Sequence, residues 1–265
     1  MDTSPSPADL LAAYDEQLRG NAETESGAES DTDGPLVRIY HPAQGFVSYR
    51  SLDGFEGDRL DALIARQIEH FTALGSSFEW KSRGHDLPAD LPDRLVAAGF
   101  VPEPRETVEI GIAASLAADP VLPAGITLRA VTDDDDLRRI AALKSEVWEQ
   151  DRHWLAEDLH NRIEAAPDLI TVLVAEHGDQ LVSAAWLVIR PGTDFAGLWG
   201  GSTLAEWRGR GIYRALVARR AELATERGIR YLQVDASDDS RPILERLGFV
   251  PITTTTPYIW TPPAA

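Results

Sequence analysis

The chain has 265 residues, of which 43% are hydrophobic and 26% are charged, a composition typical of a globular protein with one large or two modest cores. Its formal net charge of −18 excludes general binding to nucleic acid or to an anionic membrane, because both need a basic surface. The absence of cysteine excludes disulfides, thiolate metal sites and thiol nucleophiles.

The start of the chain has neither the positive charge nor the apolar core of a secretory signal, and no apolar run approaches membrane-spanning length. We therefore expect a cytoplasmic protein. Residues 8–19 place apolar side chains at helical spacing directly after Pro7, which predicts a short amphipathic helix. Residues 21–35 are acidic and lack large apolar side chains, so we expect residues 1–35 to form this helix and a flexible linker.

A small first domain is predicted over residues 36–122. Two short apolar runs, at 36–40 and 46–49, are joined by a turn at 41–45 and predict a hairpin. Pro120, Pro123 and Gly125 mark the end of this domain. Its other predicted elements are a helix over 58–74, a strand over 78–81, a helix over 91–98 and a strand over 107–112.

The second domain is predicted over residues 123–265 and opens with a strand at 126–129. Four aspartates follow at Asp133–Asp136. A cation site is one interpretation, but an acidic N-cap and first turn for the helix 137–148 is favoured, because the helix dipole stabilises negative charge there. We predict no metal site. The remaining predicted elements are a helix over 154–163, strands over 170–175 and 181–189, a strand–loop–helix unit from 198, a strand over 230–235, a helix over 241–247 and a last strand over 255–260.

The strand–loop–helix unit carries the strongest chemical signal in the chain. Gly209 and Gly211 allow a sharp turn and remove the β-carbons that would hold a ligand away, so consecutive backbone N–H groups can point at one anion. The following helix directs its positive N-terminal end to the same place. Arg208 and Arg210 add positive charge, and the unit therefore predicts a phosphate-binding loop.

The stretch Arg208-Gly209-Arg210-Gly211-Ile212-Tyr213 resembles the pyrophosphate loop of the GNAT acyltransferases. Tyr213 stands where glycine or alanine is usual, so its ring must point away from the cofactor or cover it. The predicted order βααβββαβαβ is also that of the GNAT fold, and the resemblance covers nearly all of residues 125–261. It implies an α/β (α+β) protein with a central mixed sheet flanked by helices.

An internal repeat indicates that the first domain is a reduced copy of the second. A shift of 153 aligns residues 60–82 with 213–235 without a gap, and Gly99-Phe100-Val101-Pro102 then matches Gly248-Phe249-Val250-Pro251. At the position of the phosphate loop the first copy carries Glu56 and Asp58, which would repel an anion. We expect the first domain to be structural and to bind no CoA.

The resemblance implies transfer of an acyl group, acetyl from acetyl-CoA, to the primary amine of a small molecule. The strand before the loop is expected to pair its backbone with the pantetheine arm. We expect a monomer or a homodimer. The residues implied to bind acetyl-CoA are Ser202, Thr203, Leu204, Arg208, Gly209, Arg210, Gly211, Ile212, Tyr213 and Arg214.

The catalytic groups are less defined, because Leu244 replaces the tyrosine that many family members use as the general acid, and Ser237 replaces a common asparagine. Tyr213, Tyr258 or a water is the alternative proton donor. Asp235 is the favoured base because it ends the strand beside the cofactor strand, although capping of the turn 237–240 explains it equally well. Other candidates for the base are Glu146, Glu149, Asp151, His153 and Glu157.

Two functions therefore compete. The first is an N-acyltransferase, with Trp148 and Trp154 lining the acceptor pocket beside the loop 149–153. The second is a catalytically inactive acyl-CoA-binding sensor or interaction protein, which the loss of the tyrosine favours. The phosphate loop fits both.

Overall fold

A computed structural model describes residues 5–24, 28–41, 44–118 and 121–263. The chain divides into two compact units, one comprising residues 1–109, 235–243 and 251–265 and the other residues 110–234 and 244–250. In chain order the helices and strands are α1 (Pro7–Gln17), β1 (Glu29–Asp33), β2 (Leu36–Tyr40), β3 (Gly45–Tyr49), α2 (Asp58–Ala73), β4 (Phe78–Arg83), α3 (Leu91–Ala97), β5 (Val101–Pro102), β6 (Glu106–Ile112), α4 (Ala113–Leu116), β7 (Ile126–Val131), α5 (Asp134–Trp148), α6 (Trp154–Ala165), β8 (Ile170–His177), β9 (Gln180–Ile189), β10 (Phe195–Thr203), α7 (Ile212–Glu226), β11 (Tyr231–Ala236), α8 (Arg241–Leu247) and β12 (Val250–Trp260).

The first unit is built on a mixed sheet in which the strand order is β1-β2-β3-β4-β12. Strands β3 and β4 are parallel and α2 connects them, as a parallel pair requires a crossover. The core contains stacked and edge-on aromatic rings, with Phe71 and Phe78 4.3 Å apart between ring centroids. Trp260 of β12 joins this core, and β12 pairs antiparallel with β4.

The second unit is built on a mixed sheet with the order β11-β10-β9-β8-β7. Strands β10 and β11 are parallel and α7 connects them. Both faces of the sheet are covered, since Trp186 of β9 packs in one core with α5 and α6, whereas Ala185 packs in another with α7. This double burial explains why β9 has a nearly continuous apolar sequence.

The two units repeat one strand order, as the shift of 153 predicted. The shift carries β4, Phe78–Arg83, onto β11, Tyr231–Ala236. In the first unit, β3 pairs antiparallel with β2 and parallel with β4, and α2 is the crossover helix. In the second unit, β10 pairs antiparallel with β9 and parallel with β11, and α7 is the crossover helix. Gly99 and Gly248 also share a positive φ, 95° and 104°. The first unit is therefore a reduced copy of the second, as predicted.

Most predicted helices and strands are confirmed, with bounds that differ by a few residues, and α1 and the β2–β3 hairpin are among them. Residues 42 and 43 of the predicted turn, and Pro120 of the predicted boundary, lie outside the described residues. Strand β5 and the short helix α4 were not predicted. Asp133 caps α5 by accepting a hydrogen bond from the N–H of Asp136, 3.0 Å away, which confirms the interpretation of the aspartate run as a helix start.

The prediction of a linker over residues 21–35 is wrong for residues 29–33, which form β1 and pair with β2. Strand β1 has no large apolar side chain, and its acidic side chains are instead paired with basic and polar groups of other segments. Asp33 forms ion pairs with Arg38 and Arg66, and Asp31 accepts a hydrogen bond from the Tyr40 hydroxyl. Polarity alone therefore did not distinguish this edge strand from a connector.

The two units also differ from the predicted domains, since residues 235–243 and 251–265 belong to the first unit. The last strand, β12, was predicted for the second domain but pairs with β4. The predicted domain boundary near residue 123 stays a prediction. Within the described ranges, no helix is both long and apolar enough to cross a membrane.

Candidate functional site

The edge of β10 opens part-way along the strand. Strand β10 pairs with β11 over Phe195–Gly197, and from Leu198 to Thr203 it pairs with β9 and, within the described residues, with no other strand. The backbone groups of this second half that face away from β9 therefore have no strand partner within the described residues. Such an edge accepts an extended ligand by the same hydrogen bonds that would add a strand.

A β-bulge lies in the same half of β10. The pairing passes from Trp199↔Trp186 to Ser202↔Ala184, so that Gly200 and Gly201 oppose a single residue of β9. Gly200 has a φ of 69°, and a Cβ there would lie 1.9 Å from the Trp186 ring. Glycine is required at this point because only a residue without a side chain lets the strand approach the indole so closely.

Two buried cations hold the bulge from opposite faces of the sheet. Lys144 of α5 donates from Nζ to the Gly200 carbonyl at 3.2 Å. Arg220 of α7 donates to the carbonyls of Trp186 and Trp199 at 3.3 and 3.4 Å. Burial lowers the pKa of Arg220 to about 10 and, together with the charge of Arg152, lowers the pKa of Lys144 to about 8.

Ser202 follows the bulge and is buried. Its Oγ accepts hydrogen bonds from Lys144 Nζ at 3.3 Å and from Trp148 Nε1 at 3.1 Å. Its backbone carbonyl accepts a hydrogen bond from the Ser183 hydroxyl at 2.7 Å, which ties the strand to β9. Thr203 lies within 2.8 Å of the same Ser183 hydroxyl, and Leu204 is buried under α5 and α6.

The predicted phosphate loop connects β10 to α7 and has the geometry of an anion-binding turn. Gly209 and Gly211 have φ values of 72° and 87°. A Cβ at Gly209 would meet nothing within 4 Å, so the requirement for glycine there is conformational. Arg208 Nε donates to the Thr203 carbonyl at 3.0 Å and closes the turn, and the Arg210 guanidinium carbon lies 4.7 Å from the Trp207 ring centroid.

The backbone N–H groups of residues 209–214 point to no acceptor within the described part of the chain. Gly211 is the N-cap of α7 and supplies no side-chain cap. Ile212 is buried in the core beneath α7, while Arg214 is exposed beside a groove of about 330 Å³ that Leu116 and Leu247 also line. The N-terminus of α7 therefore presents several unpaired donors and a positive dipole end.

Tyr213 places its ring against β10. A Cβ on Gly201 would lie 2.8 Å from the tyrosine ring, so the ring covers the exposed backbone of the bulge on the α7 side. Burial raises the pKa of Tyr213 above its ordinary value. The substitution of a tyrosine for the usual small residue thus brings an aromatic hydroxyl beside the bulge.

Asp235 lies at the end of β11 and belongs to the first unit. Its Oδ2 is 3.0 Å from Lys81 Nζ, and both side chains are 16% exposed. Two carboxylates near this ion pair have raised pKa values, Glu79 because of burial and Glu106, at about 7, because of burial and the charge of Asp235. In the turn 237–240, the Ser237 carbonyl accepts hydrogen bonds from the N–H groups of Ser240 and Arg241.

The other candidate bases lie in solvent. Glu149 ends α5 with a left-handed φ of 51°, and His153 precedes α6 with a side chain that is 76% exposed. Trp148 and Trp154, which flank this loop, are half exposed at 48% and 58%. That this loop lines an acceptor pocket stays a prediction. Leu244, at the position of the usual general acid, is fully buried.

Sequence reasoning missed Lys144 and Arg220. Lys144 lies four residues after Ile140 and seven after Leu137, on the apolar face of α5, and a lysine on an apolar helical stripe is the signal that would have found it. Arg220 lies in the same way on the buried face of α7. In the described residues, no group of three or more His, Cys, Asp or Glu side chains has the arrangement of a metal site.

The architecture matches solved acetyltransferases over nearly the whole chain. A GCN5-related N-acetyltransferase from Kribbella flavida superposes with a TM-score of 0.72 and 17% identity, covering 99% of this chain and 98% of the other. A tandem GNAT protein from the clavulanic acid biosynthesis pathway, solved without AcCoA, superposes with a TM-score of 0.63 and 15% identity, with 97% and 96% covered. A GCN5-related N-acetyltransferase from Sphaerobacter thermophilus gives a TM-score of 0.61 and 17% identity, with 97% and 94% covered. A search of curated proteins found no significant match.

These similarities define the class of fold, an α/β fold with a mixed sheet flanked by helices, as in the GNAT acetyltransferases. Residues 135–249 match the model of the acetyltransferase (GNAT) family. The resemblance predicted from the glycine-containing loop is therefore confirmed for residues 135–249, and the fold is shared over nearly the whole chain.

Proposed function

We propose that the second unit binds acetyl-CoA along β10 and at the N-terminus of α7 and transfers its acetyl group to the primary amine of a small molecule. The observation that carries the proposal is a succession of three features suited to such a ligand. The open edge of β10, the bulge at Gly200 and Gly201, and the unpaired N–H groups of residues 209–214 follow one another along the chain.

The residues present fit the parts of acetyl-CoA. An amide-containing pantetheine arm can hydrogen-bond to the backbone at Ser202, Thr203 and Leu204 as an added strand. The pyrophosphate fits the turn at Gly209–Gly211, where backbone donors converge, with Arg208 and Arg210 close by. Arg214, on the first turn of α7, adds positive charge beside the groove there.

The chemistry then requires a polarised thioester carbonyl, an amine without its extra proton and a proton for the departing thiolate. Backbone N–H groups at the bulge are suited to the carbonyl oxygen. For the amine, Asp235, Glu149 and His153 remain proposed bases, and Tyr213 remains a proposed proton donor because its ring lies against Gly201.

The first unit supports the assignment of binding to the second. Its helix α2 begins after Gly57, which has a φ of 52°, and carries Asp58 and Asp61 in its first turn. Negative side chains occupy the place where an anion would bind, and they repel it. We therefore propose a structural role for this copy.

An inactive acyl-CoA-binding protein is the second candidate function. It is favoured by Leu244, which is buried and cannot donate a proton where many family members carry a tyrosine. This protein would bind acetyl-CoA and release no product. The two functions share a binding site and differ in turnover.

Calorimetry with acetyl-CoA on Gly211→Val tests the binding site. The substitution forces a β-branched residue to a φ of 87° and puts a side chain beside the N–H donors, so we expect acetyl-CoA affinity to fall at least about tenfold. Gly228→Val is the matched control, because Gly228 ends the same helix region with a φ of 75° and nothing lies within 4 Å of its Cβ position. Equal affinities of the two variants would contradict the proposed site.

Release of free thiol from acetyl-CoA across a panel of primary amines then separates the two functions. The acyltransferase consumes acetyl-CoA faster with an accepted amine than with water alone. Tight binding of acetyl-CoA with no amine-dependent thiol release would support the inactive binding protein.

A further inference from the structure

We propose that Lys144 and Ser202 form a proton relay at the β10 bulge, in which Ser202 protonates the departing thiolate and Lys144 replaces the serine proton. The inference rests on the proposed acetyl transfer and names the group that takes over from the tyrosine missing at Leu244. Ser202 is the residue that would touch the reacting sulfur, and Lys144 acts through it.

The direction of the hydrogen bonds supports donation by Ser202. Lys144 Nζ carries only donors, and so does Trp148 Nε1, and both point at Ser202 Oγ at 3.3 and 3.1 Å. A hydroxyl has two acceptor positions and one proton. With both acceptor positions used, the Ser202 proton must point elsewhere, and the hydroxyl is set as a donor.

The surroundings of Lys144 support a cation that gives up its proton easily. Nζ lies 5.2 Å from the Trp186 ring centroid and 6.0 Å from that of Trp148, and the side chain is 7% exposed. None of these contacts is with a carboxylate. Burial, followed by the positive charge of Arg152, lowers the pKa of Lys144 to about 8, so most molecules are protonated at pH 7.

Few of the groups that face Lys144 Nζ carry a charge that can change its pKa. From β9 and β10 they are the Trp186 indole, the Gly200 carbonyl and the Ser202 hydroxyl, which do not titrate in this range. From the segment after α5, the charged neighbour is Arg152, whose guanidinium carbon lies 5.6 Å from the Trp148 ring. Arg220 and Tyr213 reach the bulge from the opposite face.

The step is balanced in atoms and electrons. The amine nitrogen forms a C–N bond to the acetyl carbon, the C–S bond breaks, and its electron pair goes to sulfur. Sulfur takes the Ser202 hydroxyl proton while Ser202 takes a proton from Lys144, which becomes a neutral amine. The proton released by the substrate nitrogen passes to water, and water returns one proton to Lys144 before the next turnover.

Titration of Lys144 by NMR tests the relay without any turnover. The chain has two lysines, Lys81 and Lys144, so protein labelled with ¹³C-lysine shows two side-chain signals that Lys81→Arg and Lys144→Arg assign. We expect the Cε signal of Lys144 to shift with a midpoint near pH 8. Lys81 is the internal control, because Asp235 and Glu79 raise its pKa and its signal should not move in that range. A Lys144 midpoint at the ordinary value above 10 would overturn the proposal.

Kinetics with acetyl-CoA and an amine that the wild-type protein accepts test the role in proton transfer. In the wild type, kcat at saturating amine should fall as pH rises through about 8, because Lys144 must be protonated. Lys144→Met and Ser202→Ala should each lower kcat about 10²-fold, remove this descending limb and change the affinity for acetyl-CoA little. Lys144→Arg keeps the positive charge but holds its proton, so it should be as slow as the methionine variant.

Different results would overturn the relay or the proposed acetyl transfer. Wild-type kcat in Lys144→Arg would show that only the charge matters and would overturn the relay. If the descending limb of the kcat–pH profile is lost in Tyr213→Phe and kept in Lys144→Met, Tyr213 is the proton donor and the relay is overturned. If the wild-type protein does not bind acetyl-CoA in calorimetry, the proposed function itself is refuted. The NMR midpoint of Lys144 is measured without acetyl-CoA and does not depend on that result.

Discussion

Asp235 shows how one ion pair changes the meaning of a candidate base. From the sequence, a carboxylate at the end of a strand beside the cofactor strand is either a base or a turn cap, and asparagine would serve as a cap almost equally well. In the structure its Oδ2 lies 3.0 Å from Lys81 Nζ. Asparagine cannot neutralise that ammonium, so the conservative substitution now carries a cost in stability.

Asp235→Asn should lower the free energy of unfolding by about 2–3 kcal/mol, less than the largest losses for fully buried pairs because each side chain is 16% exposed. If Asp235 is also the base, turnover falls about 10²-fold. The double variant Asp235→Asn/Lys81→Met removes both charges of the pair, and it should recover part of the lost stability in chemical denaturation, because Glu79 also loses its contact with Lys81. Wild-type turnover in the stabilised double variant would exclude Asp235 as the base.

At the scale of elements, the two crossover helices contrast in their N-terminal charge. Helix α7 begins at a turn with Arg208 and Arg210, whereas α2 begins with Asp58 and Asp61. The helices otherwise share an N-cap glycine with positive φ and an arginine stacked on an aromatic ring. Arg210 lies 4.7 Å from the Trp207 ring centroid, and Arg59 lies 4.3 Å from that of Phe55.

Arg210→Gln should therefore weaken acetyl-CoA binding about tenfold, the loss of one charge-assisted contact to phosphate, while Arg59→Gln leaves it unchanged. Calorimetry at two salt concentrations checks the cause, because the wild-type affinity should fall more steeply with salt than that of Arg210→Gln. Equal effects of the two substitutions would mean that binding does not discriminate between the helix N-termini.

At the scale of the whole molecule, the chain does not divide at the point where its repeat suggests. Residues 123–265 contain β12, yet β12 pairs with β4 and its Trp260 packs in the core with Phe78. A fragment of residues 123–265 would expose that strand and its aromatic side chains. We expect it to be poorly soluble or to unfold well below the full chain in thermal denaturation. A soluble fragment with the thermal stability of the full chain would contradict this.

The amino-acid sequence by itself determined the order of most helices and strands, the internal repeat and the glycine-containing loop that we propose binds phosphate. These features are local, since hydrophobic period, glycine at sharp turns and charge near a helix start act over a few residues. The loop from Arg208 to Tyr213 was found for that reason, and its glycines have the left-handed φ values that such a turn needs.

Only the tertiary structure decided which polar side chains are buried and what they face. The sequence predicts a linker where β1 forms, because the acidic residues of β1 find their basic partners on other segments, as Asp33 does with Arg66. In the sequence, Lys144 looks like an ordinary surface lysine. In the structure, its ammonium lies against Ser202 and two indole rings. Solvation and pairing of a charge depend on contacts between distant segments, so a sequence pattern can indicate the loop that we propose binds the cofactor, while the fold brings together the groups that we propose move a proton.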